Sequence, residues 1–345
     1  MRIASALAVA TLLMGLPSEA QAACTQGRDV AADLGGRVYT DKGRWYACAR
    51  TATKPIRVVG ARKDALARVT YPYAAVTVGA DKVRVYDLRR RAKAGVRAPG
   101  AVTDLVLTRD GVATFVAGGQ VLRMTAAGAV VTVAPGPATP GSLAASNDAA
   151  HVYWMEGGAA RLATFAAVPR FEFRSRRERH CGRARTVAHA ADAGGWLVFH
   201  EAGYEFLGCL RSGHRKPISF EPGDDVYAAT VASPFVGVVL LGASPYGSGS
   251  NEVTIYNLRE GDDFSYSARS WVSQLELSSS GVAYILEAGA VDIYGAVIGL
   301  PELFVLTPPG SVTALDKGAI AQGSLTLTPD GRRAYWTKDG VALTR

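Results

Sequence analysis

The sequence predicts an all-β fold, a β-propeller of seven or eight four-stranded blades, and three observations support this prediction. Strand-like runs rich in Val, Tyr, Thr and Phe alternate with Gly, Asp and Asn turns along the chain, and amphipathic stretches of helical period do not exceed a few turns. One strand–turn–strand unit recurs at spacings of roughly 37 to 50 residues, a period typical of propellers and solenoids. Four strand-like runs per unit match the anatomy of a propeller blade.

The recurring hairpin is clearest at residues 103–115, where one strand meets the turn Asp110-Gly111 and a second strand leaves it. A close copy, which begins at Ser324 and turns at Asp330-Gly331, ends the chain. Six looser copies begin near Val30, Arg68, Leu143, Val187, Ala228 and Leu275. The hairpins therefore predict eight blades, and a blade shared between the two chain ends would reduce the count to seven.

A third strand follows most hairpins, with the related patterns Val-Arg-Val-Tyr-Asp-Leu-Arg at 83–89 and Val-Thr-Ile-Tyr-Asn-Leu-Arg at 253–259. A fourth run closes several units, for example 129–134 and 311–315. These runs complete the expected four strands per blade.

Two of these motifs resemble those of known propeller families. The run from Leu327 through Asp330-Gly331 to Trp336 resembles the Ser-Pro-Asp-Gly repeat of TolB-type propellers, and the pattern at 85–88 is similar to the third strand of WD-repeat blades. The resemblance extends over nearly the whole chain as an architecture. It implies that Asp-Gly pairs make the turns and that aromatic side chains fill the space between blades.

The amino-terminal residues predict export. Arg2 precedes an apolar stretch over 3–16, and Ala20-Gln21-Ala22 follows as a small-residue cleavage site, which predicts a signal peptide over 1–22 and a single propeller domain over 23–345. The apolar stretch is too short to cross a bilayer, so we expect no transmembrane segment. We expect a secreted, periplasmic or cell-envelope-associated protein. A lipid anchor at Cys24 is an alternative, but the Leu-led run that such anchors use is missing.

Four cysteines occupy repeated positions. Cys48 and Cys209 each lie in a third strand and each precede a Lys-Pro-Ile sequence, while Cys24 and Cys181 each precede the first strand of the same unit. We therefore predict disulfides Cys24–Cys48 and Cys181–Cys209, as is usual for exported chains. The alternative is a metal site, for which these spacings lack a paired-ligand motif.

Charge predicts only a general preference for acidic partners. The formal net charge is +8, and the densest basic run is a predicted loop that carries Arg170, Arg174, Arg176, Arg177 and Arg179. These arginines are candidate contacts for an anionic partner, whereas the alternative interpretation is a solvated basic loop. The run has no aromatic platform for stacked bases, so we expect no specific nucleic acid.

No catalytic, metal or cofactor site can be assigned from motifs. All five histidines fall between His151 and His214 without metal-ligand spacing, and the glycine-rich segment 242–251 lacks the ending of a phosphate-binding loop. We expect a non-catalytic exported propeller that needs no cofactor and binds a protein or cell-envelope ligand. The alternative is a hydrolase or lyase with its active site in the central funnel.

Overall fold

The chain forms eight antiparallel β-sheets, each of them one blade of a ring, and this is the predicted eight-bladed propeller. A computed structural model describes residues 24, 26–168, 178–181, 183–201, 205–211, 217–220, 225–241, 251–289 and 299–345. All regular elements within these ranges are strands. Each blade comes from one contiguous stretch of chain, so the count of eight is confirmed and no blade is shared between the chain ends.

The first four blades are formed by the first fifteen strands. Blade 1 holds β1 (Arg28–Ala32), β2 (Gly36–Asp41), β3 (Arg44–Ala49) and β4 (Ile56–Val58); blade 2 holds β5 (Ala67–Thr70), β6 (Tyr73–Val78), β7 (Lys82–Asp87) and β8 (Ala92–Arg97); blade 3 holds β9 (Val102–Leu107), β10 (Ala113–Ala117), β11 (Gln120–Met124) and β12 (Val130–Ala134); blade 4 holds β13 (Ala144–Ala145), β14 (His151–Glu156) and β15 (Ala159–Thr164).

The other four blades follow the same plan, with one extra described strand in blade 5. Blade 5 holds β16 (Glu178–His180), β17 (Arg183–Ala191), β18 (Gly195–His200), β19 (Glu205–Leu210) and β20 (Ile218–Phe220); blade 6 holds β21 (Asp225–Ala232), β22 (Phe235–Leu241), β23 (Asn251–Asn257) and β24 (Asp263–Ser267); blade 7 holds β25 (Val272–Leu277), β26 (Ala283–Glu287), β27 (Glu302–Thr307) and β28 (Ser311–Lys317); blade 8 holds β29 (Thr326–Leu327), β30 (Ala334–Lys338) and β31 (Val341–Thr344).

The Asp-Gly pairs at 110–111 and 330–331 both form turns between strands, as the sequence predicts. At the turn after β9, Thr108 Oγ1 donates a hydrogen bond of 2.5 Å to Asp110 Oδ1, and Gly111 has φ +79°. The turn after β29 repeats this arrangement with Thr328, Asp330 and Gly331. Glycine adopts a positive φ without steric cost, which explains its place at both turns.

Apolar clusters between the sheets reveal the order of blades around the ring. Each cluster joins two neighbouring blades, and the pairs are 1 with 2, 2 with 3, 3 with 4, 4 with 8, 8 with 7, 7 with 6, 6 with 5 and 5 with 1. The order is therefore 1-2-3-4-8-7-6-5. Blades 1 to 4 form one half-ring and blades 5 to 8 form the other, and the halves meet at two seams.

The seam between blades 4 and 8 is reciprocal. Tyr153 and Tyr335 occupy equivalent places in the two blades, and their buried rings stack at a centroid distance of 5.3 Å. Tyr153 Oη donates to the Ser324 carbonyl at 3.0 Å, and Tyr335 Oη donates to the Ser142 carbonyl at 2.9 Å. Such an exchange of equivalent contacts is the property of a two-fold interface.

The seam between blades 1 and 5 brings together two arginines that each follow a third-strand cysteine by two residues. Arg50 of blade 1 lies over the Trp196 ring of blade 5 at 4.3 Å, and Arg211 of blade 5 lies over the same ring at 4.0 Å. Arg211 Nη1 also pairs with Asp29 Oδ2 of blade 1 at 2.9 Å. Cation–π and ion-pair contacts therefore close the ring here.

The two halves repeat each other in detail. In blade 1, Asp33 Oδ1 accepts hydrogen bonds from the amides of Gly35 and Gly36, and Asp33 Oδ2 accepts one from Tyr71 N in blade 2. In blade 5, Asp192 accepts the corresponding bonds from Gly194 N, Gly195 N and Ser233 N of blade 6. The repeated cysteines are thus part of a duplication that includes four blades.

Both predicted disulfides are present. Cys24 is bonded to Cys48 with a Cα–Cα distance of 6.1 Å, and Cys181 is bonded to Cys209 with a Cα–Cα distance of 5.6 Å. Because Cys24 is in a disulfide, its sulfur is not available for a lipid anchor. The predicted signal peptide, residues 1–22, lies outside the described residues.

Candidate functional site

A cavity of about 430 Å³ lies between the innermost strands and turns of six blades. Blades 1, 2, 3, 4, 5 and 8 contribute its lining, so the cavity exists only when the two halves are closed on each other. Its charged lining among the described residues consists of Arg68, Arg109 and Asp192. The volume lies within the usual range for small-ligand sites.

Arg68 is placed by β5, the innermost strand of blade 2. Its Nη1 donates to the Ala67 carbonyl at 2.7 Å, while its Nε is buried without a hydrogen-bond partner among the described residues. Burial lowers the pKa of Arg68, and the charges of Asp104 and Asp330 oppose that shift. A buried donor without an acceptor carries a desolvation cost, which is a reason to look for a ligand here.

The carboxylates near Arg68 are occupied by other donors. Asp104 Oδ2 accepts from Gly141 N at 2.9 Å and from Thr103 Oγ1 at 3.2 Å. Asp330 Oδ1 accepts from Thr328 Oγ1 and from Arg332 N. Asp192, in the cavity wall, accepts four hydrogen bonds, two from glycine amides and two from Ser233. Both oxygens of Asp192 are therefore engaged, whereas the bonds of Asp104 fall on Oδ2 alone.

Glu276 links blade 7 to blade 4 beside blade 8. Its Oε1 accepts from Asn147 Nδ2 at 2.7 Å and from Gln274 Nε2 at 3.5 Å. The side chain is part-buried and is enclosed by protein, and this desolvation raises the pKa of Glu276 to about 7. Carboxyl groups with such a shift occur at functional sites as well as in structural networks.

A pair of exposed aromatic residues lies where the innermost strands of blades 6 and 7 begin. Tyr227 in β21 is 49% exposed, and Trp271, immediately before β25, is 38% exposed. Their rings meet edge to face at a centroid distance of 4.4 Å. Large aromatic side chains that are held together at the surface are typical of binding hot spots.

The side chains of the arginines that the sequence predicts as contacts for an anionic partner fall outside the part of the chain that the structure describes. Arg170, Arg174, Arg176 and Arg177 lie outside the described residues, and Arg179 lies in β16 with its side chain likewise outside the description. The described ranges contain no group of three or more His, Cys, Asp or Glu residues that could hold a metal ion. No described helix is long and apolar enough to cross a membrane.

The histidine pair on the hairpin of blade 5 has separate surroundings. His189 packs edge-on against Phe206 with a centroid distance of 5.0 Å, and burial lowers its pKa. His200 Nδ1 instead lies 3.1 Å from Glu205 Oε1 across the next strand pair. His200 thus has a carboxylate partner, because strand pairing brings Glu205 opposite to it.

Sequence reasoning missed Arg68, Glu276, Tyr227 and Trp271 as site residues. A usable signal was present for Arg68 and Glu276, since each is a charged residue in the first strand of a predicted hairpin. The aromatic pair had no local signal, because its two members are 44 residues apart and meet only through blade packing.

Fold and site together define an eight-bladed β-propeller with a ligand-sized central cavity. No protein-family model matches the chain, and no curated protein matches its sequence. Solved structures similar to the chain include one in a mitotic checkpoint complex, with 12% identity, 99% of this chain and 96% of that chain covered, and a TM-score of 0.32. Hsv2 from Kluyveromyces lactis has 12% identity, coverage of 90% and 94%, and a TM-score of 0.29.

The tricorn protease is also similar, with 12% identity and a TM-score of 0.31, but 93% of this chain matches only 32% of that larger chain. At these levels of similarity the comparisons carry no information on function.

Proposed function

We propose that this protein is an exported, non-catalytic propeller that binds a protein partner at the aromatic pair Tyr227–Trp271. The observation that carries the proposal is the exposure of both rings in edge-to-face contact at one end of the innermost strands. Trp and Tyr are enriched among the few residues that supply most of the energy of protein interfaces. The two disulfides support export, because such bonds persist in oxidising compartments.

Charge supports an acidic partner. The net charge of +8 favours association with negatively charged surfaces. The arginine-rich run at 170–179 would add contacts to anionic groups of such a partner, as the sequence suggests. A secreted, periplasmic or cell-envelope location belongs to the same proposal.

Catalysis in the central funnel is the less supported alternative. Glu276 is the described carboxyl group with a pKa of about 7, which suits general acid–base chemistry. Its hydrogen-bond partners are the amides of Asn147 and Gln274, which neither attack a substrate nor transfer a proton. We therefore favour binding over a hydrolase or lyase activity.

The test is quantitative capture of envelope proteins by the purified mature protein and its Trp271→Ala variant. If the aromatic pair is the hot spot, Trp271→Ala should reduce recovery of the specific partner by about tenfold or more, since hot-spot truncations cost at least about 2 kcal/mol. The matched control is Val131→Ala, which removes an exposed apolar side chain (57% exposed) from blade 3. Equal recovery by wild type, Trp271→Ala and Tyr227→Ala would rule out this interface.

A further inference from the structure

The wall of the central cavity contains an arginine, Arg68, whose buried Nε has no acceptor among the described residues, although its Nη1 donates to the Ala67 carbonyl. In folded proteins most buried polar atoms are hydrogen-bonded, so an orphaned donor beside a cavity points to a missing partner. We infer that the cavity binds a small organic anion, with one carboxylate or phosphate group held by Arg68.

The neighbouring acids do not fill this role. Asp104 and Asp330 are near enough to influence the charge of Arg68, yet none of the described ion pairs joins either of them to it. Asp104 is bonded to Gly141 and Thr103, and Asp330 is bonded to Thr328 and Arg332. An anion in the cavity would give the guanidinium group an acceptor that these carboxylates do not.

The charge of the cavity favours an anion over a cation. Arg68 and Arg109 line it together with Asp192, and both oxygens of the Asp192 carboxylate already accept bonds from glycine amides or Ser233. The charged side chains of the described lining are thus two arginines and one aspartate. The planar fork of arginine matches the two oxygens of a carboxylate or phosphate.

The uncharged residues of the cavity lining indicate the chemical nature of the part of the ligand that is not its anionic group. Ala31, Val69 and Leu327 present apolar surface, whereas Asn147 adds a polar amide. A volume of about 430 Å³ admits a molecule of the size of one substituted ring. The ligand class is therefore a compact organic acid or organic phosphate, a different ligand from the protein partner proposed above.

Calorimetric titration of the mature protein with benzoate, phenyl phosphate and neutral benzyl alcohol tests the inference. We expect at least one of the two anions to bind with Kd of about 1 mM or tighter, and benzyl alcohol to bind at least about tenfold more weakly. The stronger of the two anions identifies the headgroup as carboxylate or phosphate. Arg68→Gln should weaken that anion by about tenfold or more, because a charge-assisted hydrogen bond is lost.

Arg161→Gln is the matched control, since Arg161 is a half-exposed arginine on β15 that pairs with Glu156 and does not line the cavity. It should bind as wild type does. Arg68→Lys keeps the charge but removes the planar fork of the guanidinium group, so we expect it to bind the anion several-fold more weakly than wild type does. This variant provides the test if Arg68→Gln does not fold. The absence of binding by both anions, equal binding of benzyl alcohol, or unchanged affinity in the folded Arg68 variants would overturn the inference. Trp271 does not line the cavity, so these outcomes are independent of the test of the proposed protein interface.

Discussion

Glu276 is a part-buried carboxyl group that accepts hydrogen bonds from the side-chain amides of Asn147 and Gln274. Asn147 Nδ2 donates to it at 2.7 Å from blade 4, and Gln274 is its neighbour on β25. Desolvation makes its ionised form costly, which is why its pKa rises from 4.5 to about 7. The folded protein therefore holds the Glu276 proton more tightly than the unfolded chain does.

This shift predicts a change of stability with pH. Below pH 4.5 both states bind the proton and the penalty is absent, whereas between pH 4.5 and about 7 the folded state progressively loses stability relative to the unfolded one. Glu276→Gln should remove the penalty, and its stability gain over wild type should grow across this window to on the order of 1 kcal/mol at pH 8, after allowance for solvent screening.

Urea unfolding at pH 4.5, 6 and 8 measures this gain. Glu252→Gln, an exposed glutamate on β23, is the control and should leave the pH profile unchanged. Parallel profiles of wild type and Glu276→Gln would show that Glu276 is not desolvated.

Among the elements, the three-stranded blades 4 and 8 make the most specific contact. Their tyrosines stack with an interplanar angle of 9°, and each hydroxyl donates to a carbonyl of the other blade. Tyr153 Oη also shares a hydrogen bond of 2.6 Å with Thr337 Oγ1. The aromatic residues that the repeat predicts as filling between blades are thus also polar connectors at this seam.

Tyr153→Phe and Tyr335→Phe should each destabilise the protein by about 1 to 2 kcal/mol, because the rings stay buried while a carbonyl acceptor loses its donor. The measurement is the free energy of unfolding in urea. Tyr227→Phe is the matched control at the surface and should change stability by less than about 0.5 kcal/mol. Destabilisation of only one of the two variants, Tyr153→Phe or Tyr335→Phe, would contradict a reciprocal contact between blades 4 and 8.

In the whole molecule, the first and last blades lie on opposite sides of the ring. Blade 1 neighbours blades 2 and 5, while blade 8 neighbours blades 4 and 7. In a ring that followed sequence order, blades 1 and 8 would touch. The difference arises because the two halves meet through equivalent surfaces rather than head to tail.

Energy transfer between fluorophores distinguishes the two ring orders. Labels at Arg44 on β3 and Val341 on β31, introduced as non-natural amino acids to spare the disulfides, should transfer weakly because their blades are opposite. The control pair, Arg161 on β15 and Val341, should transfer strongly because these strands are in contact. Stronger transfer in the Arg44 pair than in the control pair would establish the sequential order instead.

Local features were predictable from sequence because they depend on neighbouring residues. Period-2 strands, Asp-Gly turns and the repeat length indicated eight four-stranded units, and Cys24, Cys48, Cys181 and Cys209 could be paired because each pair falls within one unit. Blades 4 and 8 have only three described strands and blade 5 has five. The number of strands in the blades at the seams between the two halves was therefore less predictable from sequence than the number of hairpins.

The all-β class, the eight hairpins and both disulfides were predictable from the sequence, since hydrogen bonding within a blade and turn chemistry act over short separations. The order of blades, the cavity around Arg68 and the contact between Tyr227 and Trp271 depend on how the blades pack against one another. Packing between sheets depends on apolar shape and on contacts such as Tyr153 with Tyr335, which are 182 residues apart. No local pattern encodes which of several similar blade faces will meet.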